Sequence, residues 1–129
     1  MPRFPSREWA EEYCRVLASS EGYRRAARGW KWPILFKVKT AEGVKGFILY
    51  LEDGDCKGVE WFEDAGEADA PFILSATLED WLDVISGRVN PLTAIMRRKL
   101  VLEKGEYSKI LRYPIAALEM VRAAQTVGV

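Results

Sequence analysis

Histidine is absent from this 129-residue chain. With it go the commonest general base, the commonest metal ligand and the usual switch near neutral pH. Net charge is absent too, because 19 basic and 19 acidic side chains cancel. Nothing global therefore draws the chain to nucleic acid or to an acidic membrane surface. No apolar run of signal length opens the sequence, and no segment is long enough to span a bilayer, which predicts a soluble, cytoplasmic protein. Cysteine is scarce. Cys14 and Cys56 lie far apart in sequence, a chain of this length needs no staple, and without a secretion signal a disulfide is not expected. Cys14 reads instead as a small buried thiol, since Glu11 and Glu12 beside it disfavour a thiolate.

Catalytic signatures are missing as well. There is no G-x-S-x-G, P-loop, G-x-G-x-x-G, Cys/His metal spacing or kinase set. Carboxylates can do acid–base work without histidine. However, Glu60/Glu63 and Glu79/Asp80/Asp83 fall at positions predicted to be exposed, with no apolar pocket to shift them. Ser75 and Thr77 have no adjacent base. The acidic run Glu60, Glu63, Asp64, Glu67 and Asp69 lacks the spacing of a calcium loop. It reads as a solvated loop opposite the arginines of an early helix, Arg24, Arg25 and Arg28. The chain is thus read as a non-enzyme without metal or cofactor.

What remains is apolar and aromatic. Hydrophobic residues make up 49% and aromatic residues 12%, with five Trp, five Tyr and five Phe, enough for a sizeable core in one domain. The organising stretch is 71–105. Phe72, Leu74 and Ala76 alternate with Ile73, Ser75 and Thr77, a strand with one clearly apolar face. Thr77 stands three residues before Asp80 and caps the next helix. Leu78, Trp81, Leu82 and Ile85 form its apolar stripe, and Gly87 is placed to end it. Asn90 caps a second, shorter helix with Pro91 at its first position. Leu92, Ile95 and Met96 are its apolar face. Arg97, Arg98 and Lys99 crowd its end, where cations meet the negative pole of the helix dipole. Leu100 and Leu102 then return the chain to a strand.

Around this stretch the pattern is regular. Ser6 caps a helix whose face is Trp9, Tyr13, Val16 and Leu17. After a break at Ser20-Glu21-Gly22, Tyr23, Ala26, Ala27 and Trp30 mark a shorter one. Trp32 to Thr40 reads as a strand, with Ile34, Phe36 and Val38 on one face. The run from Phe47 to Leu51 is apolar on both faces, which suggests a strand covered on both sides at least in part. Asp53-Gly54 turns it into a hairpin. In the last helix Tyr107, Ile110, Leu111, Pro114, Leu118 and Val121 share a stripe. Pro114 predicts a kink there, or a break at Tyr113 with a fresh helix beginning at the proline. Residues 125–129 are expected to fray. The predicted layout is helices over 5–29, four strands over 32–77, helices over 78–97, a last strand over 99–104 and a C-terminal helix over 106–124. The predicted fold is α+β: a largely antiparallel sheet of about five strands covered on one side by helices.

Taken together, the acidic loop, the strand DAPFILSAT, the helix LEDWLDVISG and the run NPLTAIMRRKLVLEKG resemble the sterol carrier protein type-2-like family. The residues that match its short helix and following strand are Asn90, Pro91, Ala94, Lys99, Leu100 and Gly105. The resemblance covers most of the chain. It is carried by packing and caps, not by catalytic groups. It implies a small domain that binds lipids or acyl chains in an apolar tunnel between sheet and helices, where periodicity alone favours a filled core.

On that basis Phe36, Phe47, Leu49, Phe72, Leu74, Trp81, Ile85, Ile95 and Met96 are the expected cavity lining. The last helix, through Leu118 and Val121, is the expected movable cover. Arg97, Arg98 and Lys99 are candidates to meet a charged headgroup, although helix-end capping is the favoured reading of them. The expected partner is a lipid or fatty acyl ligand, with acyl-coenzyme A and sterols included, and without nucleic acid. Transient contact with a membrane or an enzyme is compatible with this, and the oligomeric state is not specified by the sequence. The alternative is an accessory interaction module with a filled core, serving an enzyme of lipid metabolism. A carboxylate enzyme is the third and least supported class.

Overall fold

The structure, a computed structural model, describes residues 2–129. Two helices come first, α1 (Arg7–Ser19) and α2 (Glu21–Ala26). Ser20 serves both, closing α1 and accepting from the Tyr23 amide at 3.1 Å to start α2. Three strands follow as a meander: β1 (Ile34–Thr40), β2 (Gly43–Glu52) and β3 (Asp55–Phe62). The chain then crosses to β4 (Phe72–Thr77), α3 (Leu78–Ile85), α4 (Pro91–Met96) and β5 (Val101–Lys104). It ends in one turn of helix, α5 (Tyr107–Ile110), and the longer α6 (Pro114–Val127). The caps are the expected ones. Ser6, Thr77 and Asn90 each accept from backbone amides at the start of α1, α3 and α4.

The sheet order is β3-β2-β1-β4-β5. β1 pairs antiparallel with β2 and parallel with β4, while β2–β3 and β4–β5 are antiparallel. The sheet is therefore mixed, which corrects the expectation of a largely antiparallel one. Its cause is topological. β3 occupies an edge and runs parallel to β1, so residues 63–71 must carry the chain back along the sheet before β4 can start beside β1 at Ile34↔Phe72.

That return path explains why β2 is apolar on both faces. Ile34, Phe36, Val38, Phe47, Leu49, Phe72 and Leu74 belong to the inner, helix-covered core. Leu35, Ile48 and Ile73 belong to a second, smaller core with Ala70, joined by Phe62 and Ala68. The acidic loop closes this outer core instead of standing in solvent opposite α2. Ala65 is fully buried, and its amide donates to the Val44 carbonyl. Gly46 permits the approach, because a Cβ there would stand 2.7 Å from Ala65 Cβ and 2.8 Å from the Phe36 carbonyl. The loop's charges look to the sheet: Lys104 Nζ meets Asp69 at 2.9 Å and Lys45 meets Glu63 at 3.2 Å. Of the α2 arginines, Arg24 pairs with Asp55 in the β2–β3 hairpin, not with the loop.

Two further expectations change. Cys14 and Cys56 form a disulfide, their Cα atoms 5.4 Å apart. Distance along the chain is a poor guide here, because α1 lies across the sheet against β3 and brings residue 14 over residue 56. The chain end does not fray before Val127. That residue is buried, and the Trp9 indole donates to the Gly128 carbonyl.

Candidate apolar pocket

The inner sheet face and the helices above it do not fill all the space between them. A pocket of about 130 Å³ remains. β1, β2 and β4 contribute Ile34, Phe36, Phe47, Leu51 and Leu74 as its floor. α1 and α2 supply Trp9, Tyr13, Tyr23 and Ala27, followed by Trp30. α3 supplies Trp81, Val84 and Ile85, and α4 supplies Pro91, Leu92 and Ile95. Ile110 and Tyr113 lead into the α6 face of Ala116, Ala117, Met120, Val121 and Ala124. Phe4 and Leu100 complete the lining, which contains no charged side chain and no carboxylate.

Why these side chains leave a gap follows from their shapes. The floor is paved with rings: Phe36 stacks on Phe47 with centroids 5.2 Å apart, and Trp81 stands edge-on to Phe36 at 5.8 Å. Rings are rigid and prefer offset or edge contacts. Opposite them, α6 presents mostly alanines, which reach little way across. Large rigid groups facing small ones leave space that neither can take up by a change of rotamer.

Polar atoms in this wall are mostly engaged. The indole N–H groups of Trp9, Trp30 and Trp81 donate to the carbonyls of Gly128, Trp32 and Lys37. The Tyr13 hydroxyl donates to the Met120 carbonyl at 3.0 Å. Burial pushes the Tyr13 phenol well above its ordinary pKa, and the nearby Tyr23 phenol adds to the effect. Burial likewise raises Tyr23. In both cases the ionised form has lost its water.

Phe36, Phe47, Leu74, Trp81, Ile85, Ile95 and Val121 therefore meet at the pocket. Leu49 and Phe72 are buried in the same core but do not line it. Phe72 sits behind Trp30, with ring centroids 4.7 Å apart. Met96 is 72% exposed, one helical step beyond Ile95 and off the inner face of α4. Leu118 is exposed too. The break before Pro114 explains it: α6 has its own phase, and its inner face runs through Ala116, Ala117, Met120, Val121 and Ala124. A stripe drawn continuously from Tyr107 misses that reset.

None of the three basic residues at the end of α4 lines the pocket. Lys99 reaches α3, 3.4 Å from Asp80 and 3.5 Å from Asp83. Arg97 and Arg98 are exposed, and Arg98 turns the chain with a φ of 63°. Sequence reasoning misses the part of the wall that comes from before β1: Phe4, Trp9, Tyr13, Tyr23, Ala27 and Trp30. Its signal is present as the aromatic helix faces at 9/13 and 23/27/30, which by pattern alone are indistinguishable from plain core.

The family model of the SCP-2 sterol transfer family matches residues 11–108. The chain belongs to that family. Among solved structures, this SCP-2 family member is similar to a conserved hypothetical protein, possibly a sterol carrier protein, from Thermus thermophilus. The two share 35% identity and a TM-score of 0.89, over 97% of this chain and 90% of that one. It is equally similar to a crystal structure of sterol carrier protein 2, with 35% identity and a TM-score of 0.89, over 95% of this chain and 98% of the other. A more distant relative in fold is sterol carrier protein 2 from Aedes aegypti, solved in complex with palmitate. It is 18% identical with a TM-score of 0.51, over 84% of this chain and 91% of that one. No curated protein matches the sequence.

As a whole the family implies lipid binding and transfer, and its members are generally non-catalytic lipid-binding proteins. No helix among the described residues is long and apolar enough to cross a membrane.

Proposed function

We propose that this protein binds a lipid or fatty acyl chain in the pocket between the inner sheet face and α6, and carries it without chemical change. The observation that carries this reading is the uncharged wall of aliphatic and aromatic side chains, converged upon by α1, α2, α3, α4 and α6. Partition supplies the affinity: each buried methylene contributes about 0.8 kcal/mol, so ten give about 8 kcal/mol before the losses of ordering. The palmitate complex of a protein with this fold points to the same ligand class.

At about 130 Å³ the pocket is small. An apolar cavity of roughly that size holds about one benzene ring, and drug-sized sites run to several hundred Å³. A long chain therefore enters by displacing a wall. The start of α6 is the wall suited to move, since the rest of the helix is held by the Tyr13–Met120 and Trp9–Gly128 hydrogen bonds. The helix starts at Pro114 without a side-chain cap, and its first turns expose Ile115 and Leu118. The same exposed residues, with Met96 and Leu111, favour as second reading an accessory module that docks on an enzyme of lipid metabolism.

The disulfide bears on location. Such bonds persist in oxidising compartments and in the cells of hyperthermophiles. A cytoplasmic location, the one expected from the sequence, therefore fits a host of the second kind.

The deciding experiment is organic extraction of the purified protein with mass spectrometry of the extract, beside titration with a fluorescent fatty acid. Stoichiometric lipid, or saturable binding displaced by long-chain acids or alcohols, supports the carrier. An empty protein that ignores alkyl chains and sterols overturns it in favour of the accessory module.

A further inference from the structure

The hydrogen-bonding groups left free in the pocket wall set the chemistry of the ligand's polar end. Three indole N–H groups face this region, and all three are already given to backbone carbonyls. Among the described residues no charged side chain lines the wall, so none of them can neutralise a carboxylate or phosphate there. An ionised group brought inside would lose its water and gain no counter-ion. What remains is phenolic. Tyr113 stands half-buried before α6. Tyr13 and Tyr23 lie deeper, 6% and 1% exposed, on adjacent helices that both reach the pocket.

These two phenols differ in what they can offer. The Tyr13 proton is held by the Met120 carbonyl at 3.0 Å. Its oxygen keeps acceptor capacity but has no second proton to give. Tyr23 has a hydroxyl that can donate. Both phenols line the same pocket and are near enough for one to act on the other's charge, and an acceptor and a donor in one wall match one group that both donates and accepts. A ligand hydroxyl does so, an ester or ketone oxygen only accepts, and a carboxylate accepts while carrying charge.

Resting on the lipid-carrier reading above, we propose that the pocket selects lipids whose buried end carries an uncharged hydroxyl, which donates to Tyr13 and accepts from Tyr23. Such a ligand enters hydroxyl first and leaves its chain along the Phe36–Phe47 floor towards α6. Lipids with an ionised head bind chain-first and more weakly, with the head left outside the wall.

Displacement of a neutral fluorescent probe, N-phenyl-1-naphthylamine, from the full-length protein tests this with 1-decanol, methyl decanoate and decanoate at pH 8. The alcohol is expected to bind about tenfold or more tighter than the carboxylate. Tyr13→Phe and Tyr23→Phe should each weaken decanol by roughly fivefold, the worth of one hydrogen bond. The ester separates the two roles: it should weaken with Tyr23→Phe and stay unchanged with Tyr13→Phe, which also shows that the variant pocket is intact. Decanoate affinity should rise as the pH falls towards about 4, where the acid becomes neutral. Decanoate binding as tightly as decanol, or decanol indifferent to both variants, overturns the hydroxyl proposal and leaves the carrier standing. If none of the three ligands displaces the probe, the carrier reading falls and this proposal with it.

Discussion

The two faces of one sheet make the useful comparison. They are built from the same strands, residue by residue in alternation, yet they are finished differently. The inner face is covered by helices, is aromatic and uncharged around its pocket, and keeps a gap. The outer face is covered by a loop of mostly small and acidic residues and is packed without slack at Gly46 and Ala65. It also tolerates polarity. Lys37 is buried there, its Nζ 3.2 Å from both the Gly66 carbonyl and Glu103. Beside it on β4, Ser75 is buried with its hydroxyl unpartnered. The difference teaches that the gap is not a general looseness of this fold. It is local to the side where large rings face a helix of small residues.

The largest expected separation of the two faces comes from alkali. Tyr13 and Tyr23 are both raised, chiefly by burial on the inner side. Because their folded values lie above the unfolded one, the stability they confer is whole below about pH 10 and lost as pH climbs beyond it. Urea midpoints should hold to pH 9 and fall by pH 11, and Tyr13→Phe should flatten the fall. A wild-type midpoint flat across that range would mean that water already reaches both phenols.

Next is the bond that ties the inner layer to the sheet. Cys14 and Cys56 close a loop of 42 residues. The chain-entropy relation gives a loss of about 4 kcal/mol when such a bond is removed. Cys14→Ala with Cys56→Ala, followed by urea denaturation, should show a loss of that order. A loss near zero would mean that α1 is held to β3 by packing alone.

A paired substitution then compares the faces directly. Gly46→Leu on the outer side has no room and should cost about 2–3 kcal/mol. Ala117→Leu points into the pocket and should change stability by less than about 1 kcal/mol while blocking alkyl binding. Thermal unfolding with probe titration reads both. Equal costs would erase the distinction drawn between the faces.

The smallest effect should have the opposite sign. Ser75→Ala removes a buried hydroxyl that has no partner. It is expected to be neutral or to stabilise by up to about 1 kcal/mol. A clear loss of stability in the urea midpoint would reveal a hydrogen bond that Ser75 makes in solution.

Much of this was legible in the residues themselves. Ser6, Thr77 and Asn90 announced helix starts because capping is a bond across two or three residues. Pro114 announced the break before α6 because its ring and missing N–H act on its own turn. The two-faced apolarity of residues 47–51 correctly asked for cover on both sides. In the candidate site, strand residues such as Phe36, Phe47 and Leu74 were found by alternation, which has a period too short to drift. Leu118 was misplaced because a helix stripe loses its phase across a break. Met96 was misplaced because one residue in a helix is about 100° of rotation.

Composition and local pattern thus determined the elements, their ends, the uncharged character of the inner face and the absence of histidine chemistry. All of these depend on a residue and its neighbours within a turn or two. Only the tertiary structure decided that β4 runs parallel to β1, that α1 brings Cys14 to Cys56, that the acidic loop seals the outer face, and that a pocket survives inside. Each of those is a meeting of segments distant in the chain. Whether opposing side chains fill the space between two layers depends on the sum of their shapes at a separation that no single segment sets.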